Sequence, residues 1–183
     1  VQWMNTVLQR TFELDASVDY EPGPEQNIAA RAKALGRDPF DLALELMLAD
    51  GGNALLLHPF ENYCTGDLEV VKEMLEDPNT VCGVADAGAH VGLICDASSP
   101  TSLLTHWARD RKRGDKMPLE FLVRKQTLDT ARVYGLMDRG VIAPGYKADL
   151  NLIDFQALRL HRPKLVYDLP AGGRRIIQKA EGY

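Results

Sequence analysis

Thr80-Val81-Cys82-Gly83-Val84-Ala85-Asp86-Ala87-Gly88-Ala89-His90 is the stretch on which the fold reading turns. A short apolar run of strand length ends on a carboxylate and passes into a turn of small residues. Before it, Leu68, Val71, Met74 and Leu75 recur at helical spacing and stop at Asp77-Pro78. Earlier still, the apolar run Asn53 to His58 follows a helix opened by Asp38-Pro39, an N-cap followed by proline at the first helical position. That helix shows Phe40, Ala43, Leu46 and Met47 on one face. Ile28, Ala32 and Leu35 mark another helix, which Gly36 stops in the left-handed conformation. Short apolar strands alternating with amphipathic helices predict an α/β fold with a parallel sheet. In such folds the chemistry sits at the carboxyl ends of strands, which singles out Asp86.

After the small-residue turn, Ser99-Pro100 opens a helix with Leu103, Leu104 and Trp107, stopping at Gly114. Its end carries Arg109, Arg111, Lys112 and Arg113, which reads as a solvated cationic face at a helix C-terminus. Further helices are predicted from Pro118 and from Asp129 to Tyr134, the last ended by Gly135. From Asp138 the texture changes. Gly140, Pro144 and Gly145 make turns, Ala148, Leu150 and Leu152 alternate with polar residues, and Arg174 to Ala180 is a further strand candidate. The predicted organisation is an α/β part over residues 1–137 and a small β part over 138–183.

At 183 residues the chain has the length of about one domain, and 45% hydrophobic with 26% charged residues is ordinary globular composition. A net charge of −5 has the wrong sign for a protein devoted to nucleic acid, and no apolar run approaches a membrane span. Three dispersed cysteines, Cys64, Cys82 and Cys95, read as thiols of a reducing, cytoplasmic compartment. The opening Val1-Gln2-Trp3-Met4 carries no secretory signal, and its lack of an initiating methionine suggests a cut from a longer protein.

As chemistry, Asp86 can ligate a metal or serve as a general base, with helix capping as the plainer alternative. His90 is a weak candidate for substrate binding. His58 can be a strand-end ligand or a loop histidine, and His106 falls on a helix, where packing is the simpler role. A catalytic zinc takes three protein ligands, and no local spacing assembles them. Gly83 to Gly88 has a P-loop's glycines without the Gly-Lys-Ser/Thr that follows, so nucleotide binding is rejected there; no G-x-S-x-G is present. Gly172-Gly173-Arg174-Arg175 is either an anion-binding turn or a plain β-turn.

Ala85 to Gly92, then Cys95-Asp96-Ala97-Ser98, then Leu103-Leu104-Thr105-His106-Trp107-Ala108-Arg109-Asp110-Arg111 resemble the N-acyl-D-amino-acid deacylases. Asp138 to Leu150 resembles the closing segment of the amidohydrolase superfamily, and Asp168 to Gly173 returns to the deacylase branch. The resemblance implies a metal-bearing (β/α)8 barrel with a small β-sandwich. It implies zinc, one or two ions, and hydrolysis of the amide of small N-acylated D-amino acids. Asp86 matches the eighth-strand aspartate that assists the hydrolytic water and can contact metal. Ala85 stands where many relatives have serine, removing a hydroxyl that would help position that carboxylate. The remaining metal ligands are expected upstream of Val1, since a full barrel takes ~250 residues. The chain is then an incomplete barrel with part of the sandwich, inactive by itself. Its open edges are expected to be covered by another copy or by the rest of the enzyme, with no nucleic-acid or membrane partner. The alternative is a truncated, non-catalytic α/β module for oligomerisation or partner binding.

Overall fold

A computed structural model describes residues 2–83, 88, 92–93 and 96–183. Its helices are α1 (Gln2–Leu8), α2 (Ile28–Leu35), α3 (Pro39–Gly52), α4 (Glu69–Glu76), α5 (Ser99–Ser102), α6 (Leu119–Arg124) and α7 (Thr130–Val133). Its strands are β1 (Phe12–Leu14), β2 (Leu55–Leu57), β3 (Arg159–Leu160), β4 (Lys164–Leu169), β5 (Gly173–Ile177) and β6 (Ala180–Glu181).

Gly36 and Asp38 act as read, and a cap that the sequence reading passed over stands at Asn27. The Asn27 side chain accepts from Ala30 N at the start of α2, and Gly36 ends it at φ +64°. Asp38 accepts from Phe40 N and Asp41 N at the start of α3. These two helices bury Ile28, Ala32, Leu42 and Ala43 against Leu8, with Phe40, Leu46 and Leu56 packed around them. A second core gathers Leu104, Trp107, Met117, Leu122 and Leu158, with Val71 and Leu75 of α4 and Ile153 and Phe155 alongside. Leu158, deep in the predicted β part, is fully buried in this helical core.

Two helices depart from the predicted pattern. α5 runs on into π-helical turns over Leu103–Asp110, ending before Gly114. α6, π-helical turns over Lys125–Asp129 and α7 form one continuous run rather than two helices. Thr130 Oγ1 donates to Lys125 O at 2.8 Å, a five-residue reach that suits the widened turn.

The parallel sheet is not found among the described residues, where every strand pair is antiparallel: β1 with β2, β3 with β6 and β4 with β5. Leu55 to Leu57, read as a buried parallel strand, pairs with Phe12 to Leu14 instead. Residues 80–83 form no strand. Thr80 is tied into a turn by its N–H to Asp77 O at 3.3 Å, and the Lys125 ammonium donates to Asp77 O and Thr80 Oγ1. Ala148 to Ile153 forms no strand either, and Leu150 and Leu152 stay exposed. Period-2 alternation makes a strand only where a ladder partner exists. No helix of the described residues is long and apolar enough to cross a membrane.

Candidate functional site

Asp86 and His90 lie outside the described residues, as does Cys95. On the far side of the small-residue turn, Ser98 Oγ donates to Gln178 Oε1 at 2.5 Å, and Tyr20 Oη donates to the same oxygen at 3.1 Å. Gln178 Nε2 in turn donates to His161 O at 2.8 Å. The C-terminal strands are thereby fastened to the segment leading into α5. Residues 170–173 make the tight connection between β4 and β5, with Ala171 and Gly172 at positive φ, so the plain turn is the reading that holds. Arg175 is spent on a two-pronged pair with Asp168.

His58 follows β2 at its carboxyl end. Thr11 Oγ1 donates to Val7 O at 2.7 Å, so its lone pair receives the Nδ1–H of His58 at 2.9 Å. The imidazole is thus held with Nε2 unprotonated. Burial, helped by the Arg10 guanidinium, moves its pKa below 6.5 and keeps it neutral. That is the state of a metal ligand or proton acceptor. Yet no three His, Cys, Asp or Glu side chains come together to hold a metal among the described residues. These residues do not make up a metal site.

They do bring together a cluster of charges around Glu21. π-helical geometry makes this possible: Arg111 N donates to His106 O at 2.8 Å, which stacks residues five apart on one side of the helix. Arg111 Nε and Nη2 donate to the two Glu21 oxygens at 3.0 and 2.9 Å, and His106 Nε2 donates to Oε2 at 3.1 Å. The Leu68 N–H adds a bond at 3.0 Å, and Arg111 also reaches Glu69 at 2.7 Å. The Arg111 guanidinium lies 4.6 Å from the centre of the Trp107 ring. Burial pushes Glu21 up, but the Arg111 hydrogen bonds, the Leu68 N–H and the Arg111 charge outweigh it, so its pKa falls below 4.5. Burial lowers His106 below 6.5 against the opposing pull of Glu21, so the ring is neutral with its proton on Nε2. Arg113 donates to Pro22 O, Gly66 O and Tyr63 Oη, while Tyr63 donates to Pro22 O at 2.5 Å. Burial drives the Tyr63 phenol up to about 12 despite Arg113.

The predicted solvated face is therefore largely an internal framework, with Lys112 left exposed. Arg111 is buried, Arg113 serves carbonyls, and Arg109 binds Leu158 O at 2.7 Å and the carbonyl of Phe155. Guanidinium groups supply planar arrays of donors, and here those donors knit loops 15–23 and 153–158 to one helix end. Glu21 carries no local signal in its turn-rich surroundings; its partner is ninety residues away. Beside this cluster opens a cleft of about 370 Å3, lined by Asp19, Glu25, His106, Lys112 and Arg159 among others. His106 Nδ1 has no protein partner among the described residues, and the residue lines this cleft as a hydrogen-bond acceptor.

Compared with known families, residues 4–175 match the model of the Amidohydrolase family. The chain belongs to the amidohydrolase family. This amidohydrolase chain is 33% identical over 92 residues to an adenine deaminase of Sinorhizobium fredii, covering 48% of the chain and 15% of that protein. It is 38% identical over 105 residues to a 5-methylthioadenosine/S-adenosylhomocysteine deaminase of Desulfitobacterium hafniense, covering 49% and 24%. It is 31% identical over 148 residues to an imidazolonepropionase of Paracoccus denitrificans, covering 76% and 34%. The matched segment spans about a third or less of each of these relatives. No solved structure matches the chain.

Proposed function

We propose that this amidohydrolase chain is part of a hydrolase that cleaves the amide of N-acyl-D-amino acids. The observation that carries the reading is the succession, inside the matched region, of three runs resembling that branch: Ala85 to Gly92, Cys95 to Ser98 and Leu103 to Arg111. The third run is the one whose His106, Trp107, Arg109 and Arg111 build the framework around Glu21 and the cleft. In this reading Asp86 accepts a proton from the water that adds to the scissile carbonyl. It returns that proton to the leaving amine as the C–N bond breaks, releasing a carboxylic acid and a free amino acid. A metal, zinc by the resemblance, belongs to the reading, and the described residues supply no set for it. The unpaired thiols of Cys64 and Cys82 suit a cytoplasmic setting.

The test is a substrate panel given to the longest native form of the protein. Release of free amino acid from N-acetyl-D-amino acids, and not from the L series, is the expected result. Ammonia released from adenine or 5-methylthioadenosine, with no deacylation, would move the reading to the chemistry named for the deaminase relatives.

A further inference from the structure

We propose that the cleft beside His106 is a binding site for a free α-amino acid in its zwitterionic form. Asp19 and Glu25 line it from the segment after β1, and His106 and Lys112 from the π-helical run and its end. His106 gives its Nε2–H to Glu21, which two Arg111 nitrogens and the Leu68 N–H hold in place. The edge-to-face contact with Trp107, at 5.3 Å between ring centres, steadies the imidazole further. Nδ1 is left as a lone-pair acceptor without a protein partner among the described residues.

Two carboxylates stand open beside that acceptor. Asp19 Oδ1 accepts the Glu21 N–H at 2.8 Å, and its other oxygen is unengaged among the described residues. Glu25 has no hydrogen bond or ion pair among them, and its carboxylate occupies the space that a Cβ on Gly23 would take. One neutral and two charged acceptors suit the three N–H donors of an ammonium group.

Charge accounting leaves one cation for the other end of the ligand. Arg109 is engaged by Asp110, Arg159 by Glu181, and Arg113 by the carbonyls of Pro22 and Gly66. Lys112 is exposed and has no hydrogen bond or ion pair among the described residues. A simple anion in this cleft meets Asp19 and Glu25, and a simple cation meets Lys112. A ligand carrying both charges satisfies both ends. The volume of about 370 Å3 lies near the lower end of the roughly 300–1,000 Å3 of small-molecule pockets. The site does not depend on the deacylase reading, whose substrates carry an acylated, uncharged nitrogen and so offer no ammonium.

The test is calorimetric titration of the longest native form with D- and L-alanine, propionate and ethylamine. Propionate lacks the ammonium and ethylamine the carboxylate. Alanine of at least one hand is expected to bind with a Kd of about 1 mM or tighter, and each of the other two about tenfold or more weakly. Asp19→Asn keeps an acceptor for the Glu21 N–H but loses the charge, and Lys112→Gln loses the cation; each should weaken alanine about tenfold. Gly23→Ala, which displaces the Glu25 carboxylate and leaves every charge in the chain, should weaken it too. Lys116→Gln, on an exposed lysine outside the cleft, should leave the affinity unchanged. Melting temperatures measured alongside show that each variant is folded. No binding of alanine, equal binding of propionate or ethylamine, or wild-type affinity in Asp19→Asn or Lys112→Gln overturns the proposal. A protein that binds alanine in this way but deacylates nothing keeps the site and loses the deacylase reading.

Discussion

Arg111 and Glu21, ninety residues apart, meet in a two-pronged ion pair at 3.0 and 2.9 Å with both side chains out of solvent. The pair joins the turn-rich segment after β1 to the end of the π-helical run, and the cleft forms where they meet. A buried pair of this kind contributes little net stability but is costly to break by halves.

Glu21→Gln leaves the Arg111 charge facing only Glu69, which is half exposed. A loss of about 3–5 kcal/mol in urea unfolding is expected. Glu21→Leu combined with Arg111→Met removes both charges and should recover most of that loss. A double variant as unstable as the sum of the single ones would show that the pair is not coupled.

Stability should fall in two stages as pH decreases. The pKa values of His106 and His58 are lowered in the fold from 6.5, mainly by burial. Below about pH 6.5 the unfolded chain takes up protons that the folded chain refuses, and stability declines until the folded values are reached. The pKa of Glu21 also lies below its ordinary 4.5, so the stability it contributes is present above 4.5 and is lost as pH falls further. Melting temperature against pH checks this. His106→Gln should flatten the first stage, and an unaltered profile would contradict a neutral, partly buried His106.

Much of the local structure was legible in the sequence. Gly36 and Asp38 act within one or two turns of themselves, so the end of the helix Ile28 to Leu35 and the helix after Pro39 follow from neighbouring residues. Strand partners are different: Leu55 to Leu57 looks the same in a parallel barrel or against Phe12 to Leu14, since pairing is a long-range choice. The basic run Arg109 to Arg113 likewise has the composition of a wet helix end. It turned inward because Glu21, Pro22 and the carbonyls of 155–158 needed donors, and nothing near Arg111 in the chain announces them. Asp86 is legible only from its strand-end pattern and its resemblance, and it lies outside the described residues.

Lys125 offers a test of the frame itself. Its ammonium is buried with neutral acceptors only, Asp77 O at 2.7 Å and Thr80 Oγ1 at 3.0 Å, at the foot of the segment leading to Asp86. Asp77 O also accepts from the Thr80 N–H, so it keeps a partner without the lysine. Lys125→Met sheds a desolvated charge and keeps the volume, and should cost under about 1 kcal/mol. Lys125→Ala opens a cavity and should cost about 2–4 kcal/mol. Equal losses in the two would show that the hydrogen bonds, not the packing, dominate.

The most direct test of the account is the turnover of N-acetyl-D-amino acids by Asp86→Asn in the longest native form, with its melting temperature measured alongside. The amide keeps the shape of the side chain but cannot take the proton from water. Turnover should fall by about 10²–10⁴-fold while the fold melts as in wild type. An Asp86→Asn protein that deacylates at the wild-type rate would contradict the assignment of the proton shuttle to this residue.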